Sequence, residues 1–204
     1  MIMKMFKSEE GFTGLEAAIV LIAFVVVAAV FSYVVLGAGF FTTQKAQETV
    51  YSSVDMASSS IEVLGDVYGW GSTSEITGVQ FVVGLTAGGS SVDFANTNLL
   101  MKNTSKIVDL NRSTKITGSE TNVIDTVSAI EGYGDDYWGI IDIANGDTGA
   151  LLENQEQFTI YANLDTVTIT PNEAFTIEIK PPTGASYGIN RKGPAKIDDV
   201  NILY

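Results

Sequence analysis

Between Glu16 and Lys45 the chain carries no charge, and from Ala17 to Phe31 it carries no polar side chain at all. Ser32 and Tyr33 interrupt briefly before Val34 to Phe41 continues the apolar run. About 20 such residues are enough to cross a bilayer core as a helix. A helix in a globular core keeps a polar stripe, whereas this run is apolar on every side. Val25-Val26-Val27, with Ile19, Val20 and Ile22, would form helix poorly in water, because branching at Cβ restricts the rotamers. In lipid or in a dry bundle each backbone N–H and C=O must pair inside the segment, and helix is then what a single stretch can do. The run belongs in an apolar environment.

Lys4 and Lys7 give a short basic start, which places that end on the cytoplasmic side. A secretory signal peptide would be cut after the apolar region at small residues, and Gly37-Ala38-Gly39 offers such a place. Against that reading, the run is long for a signal and Glu16 stands at its mouth. A carboxylate beside so many apolar residues is costly unless it sits at an interface or finds a cation. The plain account of Glu16 is an interfacial carboxylate favoured by the dipole of the helix start. A sharper account needs a cut between Gly11 and Phe12, which makes Glu16 the fifth residue of the mature chain. A neighbouring copy could then offer its free amino group to Glu16, pairing two charges that are each expensive alone.

Composition excludes several functions. The 204 residues hold 11 Lys+Arg against 24 Asp+Glu, a net charge of −13. Lys4, Lys7, Glu9 and Glu10 cancel, so a cut after Gly11 leaves that value unchanged. So acidic a chain repels nucleic acid, and no basic patch is evident. Cysteine is absent, which removes disulfides and thiol chemistry. Histidine is absent too, and with it the commonest general base, the usual triads and the usual zinc ligands.

Beyond Lys45 the helix is expected to continue with a different character. Ala46, Val50, Val54, Ala57, Ile61 and Leu64 recur at spacings of three and four, one apolar stripe. Gly65 and Tyr68-Gly69-Trp70-Gly71 are expected to end it. From Ser72 the period changes to two. Val79-Phe81-Val83, Val92-Phe94, Lys106 to Leu110, Trp138-Ile140, Ile141-Ile143, Phe158 to Leu164, Val167-Ile169, Phe175-Ile177-Ile179 and Val200-Ile202-Tyr204 read as short strands. Asn145-Gly146 is the strongest hairpin signal among the turns. The fold expected is α+β: a long N-terminal hydrophobic helix followed by an antiparallel β-sandwich, immunoglobulin-like in character, as the head. Phe81, Phe94, Trp138, Phe158, Phe175 and Tyr204 are its expected large core residues.

Few groups in the head could carry chemistry. Asp135, Asp136, Asp142 and Asp147, with Glu153, cluster around turns, and an all-oxygen set of this kind suits calcium or magnesium. The EF-hand spacing is missing, and solvated loop carboxylates are the simpler account. Two carboxylates could also serve a glycosidase, but no pocket signal accompanies them. Asn103-Thr104-Ser105 and Asn111-Arg112-Ser113 fit the glycosylation acceptor pattern, although this composition yields about two such triplets by chance.

Gly11-Phe12-Thr13-Gly14-Leu15-Glu16 followed by the apolar run resembles the class III leader shared by type IV pilins and archaeal flagellins (archaellins). Leu36-Gly37-Ala38-Gly39-Phe40-Phe41-Thr42-Thr43-Gln44-Lys45 and Lys180-Pro181-Pro182-Thr183-Gly184-Ala185 are similar to archaellins more narrowly. The resemblance implies a leader over 1–11 that a prepilin-type membrane peptidase removes at Gly11–Phe12. It implies a helix over 12–68 that anchors in the membrane and then forms a filament core, and an outer domain over 69–204. It further implies a structural subunit of an extracellular archaellum filament for swimming, a homopolymer or a co-polymer with related subunits. A membrane ATPase complex would assemble and rotate that filament after transient membrane insertion of the subunit. Glu16 would act in assembly, Asn103 and Asn111 would be glycan acceptors, and no cofactor or catalytic residue is implied. An adhesion pilin of type IV kind and a membrane-anchored extracellular binding domain stay open as alternatives.

Overall fold

The computed structural model describes residues 9–113 and 136–204. The leader residues 1–8 and Asp135 of the acidic cluster lie outside the described residues. The chain divides into two compact units between Ser52 and Ser53.

The first unit is helix. α1 runs from Glu9 to Ser58, 50 residues, about 75 Å at 1.5 Å per residue. It passes through Gly37 and Gly39 without a break, so the loosening those glycines would permit is not used to end it. Just past them, Thr42 and Thr43 donate their hydroxyls to the carbonyls of Ala38 and Gly39, at 2.8 and 2.9 Å. Thr49 does the same to Lys45 at 2.8 Å. Each hydroxyl thereby finds a partner within its own helix and can enter a dry environment.

The helix stops ten residues short of the expected end at Tyr68. Ser59 and Ser60 follow, and serine hydroxyls compete for the backbone; that of Ser59 donates to Met56 O at 3.5 Å. Beyond it, Ile61–Gly71 is strand β1. The apolar stripe continued through Ile61 and Leu64, but tertiary pairing decides: Ile61 to Leu64 lie against Leu85 to Val82 of β2 (Ile76–Leu85). Gly65, read as a helix stop, takes φ +77° inside β1, where the register slips between Leu64 and Tyr68. A positive φ at a glycine is how a strand accommodates a bulge. The strands therefore begin at Ile61, before position 69.

After β2 come β3 (Val92–Asp93), β4 (Asn98–Lys102), β5 (Ile107–Arg112), β6 (Tyr137–Ala144), β7 (Leu151–Leu152), β8 (Gln157–Asn163), β9 (Ala174–Lys180), β10 (Tyr187–Lys192) and β11 (Val200–Leu203). Nine of them form one hydrogen-bonded order, β10-β9-β4-β5-β6-β8-β2-β1-β11, and β3 pairs with β7 alone. All pairs are antiparallel except β5 with β6, where Asn111 lies beside Tyr137 and Arg112 beside Trp138. Residues from both ends of the order, Ile189 and Ile177 as well as Val67 and Leu203, share one core with Phe81, Phe94, Trp138 and Phe158. The two ends also meet where Lys192 N donates to Tyr204 O at 2.8 Å. The sheet folds over on itself, so a sandwich-like core is made from one continuous, mostly antiparallel sheet. Phe94 anchors it, edge-on to Trp138 at 6.4 Å and to Phe158 at 5.5 Å between ring centres.

Three expectations within the head change. Val167 and Ile169 are buried without forming a strand, and Ile169 makes a single bridge to Ile76. Asn145-Gly146 turns the chain, with Asn145 at φ +59°, but 12 residues and β7 separate β6 from its partner β8. The Glu156 carboxylate occupies that loop, accepting from Asp147 N at 3.3 Å and Glu153 N at 2.8 Å, and leaves no room for a Cβ at position 146. Tyr204 is not a core residue: it is 83% exposed, because β11 turns Asn201 and Leu203 inward instead.

Candidate functional site

The surface with the strongest physical demand is the helix. From Gly14 to Val54, 41 residues are apolar enough to cross a membrane, and none of that window is buried. Leu15, Ile19, Phe24, Phe31, Val34, Leu36, Phe40, Val50 and Val54 are all exposed, and they point to every side of α1. Glu16 is exposed as the third residue of this stretch, and Gly11 and Phe12 fall in the first turn of α1. The next charges are Lys45 and Glu48, which pair at 2.6 Å across one turn and stand in the open, where such a pair is worth ~0.5 kcal/mol or less.

The head carboxylates do not converge. Asp136 is buried and its carboxylate is taken up by the chain: Oδ1 accepts from Asp165 N and Thr166 N, both at 3.2 Å, and Oδ2 accepts from the Thr166 hydroxyl. Asp142 sits half-buried on β6, and exposed Asp147 accepts from Gly149 N at 2.6 Å within its own turn. Among the described residues no group of three or more acidic side chains could hold a metal ion. The structure thus gives Asp136 and Asp147 local backbone work and leaves Asp142 apart from them.

The two acceptor asparagines differ. Asn103 is half-buried, its Oδ1 accepting from Ser105 N and Lys106 N at 2.8 and 2.7 Å, and its Nδ2 donating to Thr168 O at 3.4 Å. Asn111 is exposed on β5, its backbone N–H donating to Asp136 O at 2.8 Å. Its neighbour Arg112 stacks 5.9 Å above the Trp138 ring, and burial lowers its guanidinium below the ordinary value while Asp93 partly offsets that.

A junction the sequence did not point to lies where Pro181-Pro182-Thr183-Gly184 follows β9. Gly184 has φ +99°, and a Cβ there would run into the backbone oxygen and hydroxyl of Ser59. The close approach ties this turn to the residue that leaves the helix, and Ser59 is itself buried. The Pro-Pro-x-Gly spelling was a signal for a tight turn; its partner was not readable.

The model of the archaeal-type flagellin family matches residues 11–191. The chain belongs to the archaeal-type flagellins. It is 44% identical over 209 residues to "Probable flagellin 1" of Archaeoglobus fulgidus, covering 98% of both chains. The solved archaeal flagellum of Methanospirillum hungatei superposes with a TM-score of 0.69 at 33% identity, over 94% of this chain and 99% of that one. The crystal structure of flagellin FlaB1 from Methanocaldococcus jannaschii shares the fold, with a TM-score of 0.59 at 14% identity, over 70% of this chain and 95% of the other.

Proposed function

We propose that the chain is a structural subunit of an archaeal flagellar filament, polymerising through α1 for swimming. The observation that carries this reading is the unburied apolar stretch from Gly14 to Val54, attached to a head with its own packed core. Removing some 25 helical residues from water, at ~100 Å² each and ~25 cal/mol per Å², is worth on the order of 60 kcal/mol. Such a surface has no stable state in water. It exchanges lipid neighbours for sister helices, which nearly conserves that free energy and lets a subunit pass from membrane to polymer.

On this reading a prepilin-type membrane peptidase cuts at Gly11–Phe12, the subunit waits in the cytoplasmic membrane, and a membrane ATPase complex drives assembly and rotation. The role is mechanical: no catalytic step is assigned to the chain. Exposure of Glu16 leaves its carboxylate available for a neighbour's new amino group. N-terminal sequencing of shed filaments is expected to begin at Phe12, and a start near Phe40 would overturn the leader assignment. Glu16→Ala chains are expected to be cut but to accumulate as monomer in the membrane. A strain lacking this gene should lose both filaments and swimming; loss of surface attachment with swimming intact would favour a pilus instead.

A further inference from the structure

Strand β11 turns Val200 and Ile202 away from the core, and Tyr204 follows it. Asn201 and Leu203 point inward, while Val200, Ile202 and Tyr204 are 51, 40 and 83% exposed. Asn201 fixes that choice. Its Nδ2 donates to Gly69 O at 3.3 Å and Asp198 O at 2.6 Å, and its Oδ1 accepts from Asp198 N at 2.9 Å. A slip by one residue would bury the apolar three but would strand these polar groups, so the register holds.

The neighbouring strands extend the same face. Tyr68 lies opposite Ile202 and Trp70 opposite Val200. Trp70 and Tyr137 pack on Ile141 and Tyr161 in a small cluster separate from the main core. The outer face of an antiparallel sheet is ordinarily polar. One rich in Tyr and Trp has the make-up of a protein contact. The exposed charges beside it are mostly acidic, Asp66, Asp198 and Asp199, with Lys196 paired to Asp198 at 2.5 Å.

The same head carries a surface of opposite kind. An open groove of about 410 Å³ beside β4, β9 and β10 is lined by Lys102, Arg191, Asn190, Thr176 and Phe175, and by Tyr204, where it adjoins the β1–β11 face. Two cations at one groove, Lys102 and an Arg191 whose guanidinium donates to Asn190 O at 3.0 Å, stand out in a chain of net charge −13. Glu173 beside the adjoining groove is occupied by the hydroxyls of Thr104 and Thr170.

We propose that in the filament the β1–β11 face of one copy seats against the Lys102–Arg191 groove of another copy; this rests on the filament reading above. A helical polymer repeats a heterologous contact, so each subunit must present two different, complementary patches. An acid-rimmed apolar face and a cation-lined groove meet that requirement, whereas the acidic rim would repel an anionic membrane or a nucleic acid. The contact need not be strong, because helix packing already fixes the heads as neighbours at high effective concentration.

The test uses the full chain, once as detergent-held monomer and once as filaments. Hydroxyl-radical labelling of Tyr68, Trp70 and Tyr204 should be several-fold lower in filaments than in monomer. Lys102→Glu with Arg191→Glu should lower the filament melting temperature, as should Asp66→Lys with Asp199→Lys. A filament combining the two pairs should recover most of the loss. Equal labelling in both states overturns the proposal. Additive rather than compensating charge reversals overturn it as well. Filaments of the unaltered chain serve as the control for the filament reading, which stands or falls separately on whether they form.

Discussion

At Gly184 a single missing methyl group decides whether two parts of the chain can touch. Its φ of +99° is open to glycine and strained for any other residue, and Ser59 occupies the space a Cβ would take. Gly184→Ala is therefore expected to cost ~1–3 kcal/mol, read as a fall of about 3–10 °C in the melting temperature of the detergent-held chain. Gly88, also at positive φ but with open space around it, is a useful contrast: Gly88→Ala should carry the backbone strain without the collision and lose less. Glu173 is the residue whose contribution depends on pH. Burial alone would raise its carboxyl, but hydrogen bonds from Thr104 and Thr170 outweigh burial and hold it below the ordinary value. A carboxyl lowered by folding stabilises fully above the unfolded value and loses that contribution as pH falls through the folded one. Glu173→Gln should thus be less stable than the native chain at pH 7, with the gap closing below about pH 4. A gap that stayed constant from pH 7 to pH 3 would mean the carboxylate charge is irrelevant there.

Among the elements, the helix was legible because its signal is long, chargeless and local. Its end was not, because Ile61 and Leu64 satisfy a helical stripe and a strand equally well, and the partner that decides between them, β2, comes later in the chain. β6 shows the same limit in miniature. Trp138-Ile140 and Ile141-Ile143 read as two phases, and the register shift between Ile140 and Asp142 is what joins them, turning Ile140 to the main core and Ile141 to the outer cluster. β11 was found as a strand but with the wrong face inward, since nothing local says that Asn201 will have partners in Gly69 and Asp198. The acceptor triplets looked alike in sequence, and their elements separate them. Asn103 has its amide held in a turn, while Asn111 projects from β5 with its side chain exposed. If filaments are glycosylated at these triplets, mass spectrometry should find the sugar on Asn111 at high occupancy and little or none on Asn103. Asn111→Gln should then remove it, and the reverse pattern would show that attachment precedes folding of the head.

For the whole molecule, the proposed division of labour is a helix that polymerises and a head that folds by itself, and the boundary between them can be located by truncation. A head cut at Ser72, where the period-two pattern begins, would omit β1. That strand lies between β2 and β11 in the sheet and contributes Ile61 and Val67 to the core. Its loss would strip one side of β2 and leave β11 without its neighbour, exposing two strand edges at once. A head cut at Ser59 keeps β1, the Gly184 contact and every paired strand. The fragment 59–204 is accordingly expected to be soluble, rich in strand by circular dichroism, and to unfold in one cooperative step. The fragment 72–204 should aggregate or fail to show that step. Without α1 the longer fragment should also sediment as a monomer at micromolar concentration, since its acidic surface repels its copies and the face on β1 and β11 no longer has neighbours held beside it. Filaments formed by fragment 59–204 alone would mean that the heads, and not the apolar helix, supply the main force of polymerisation.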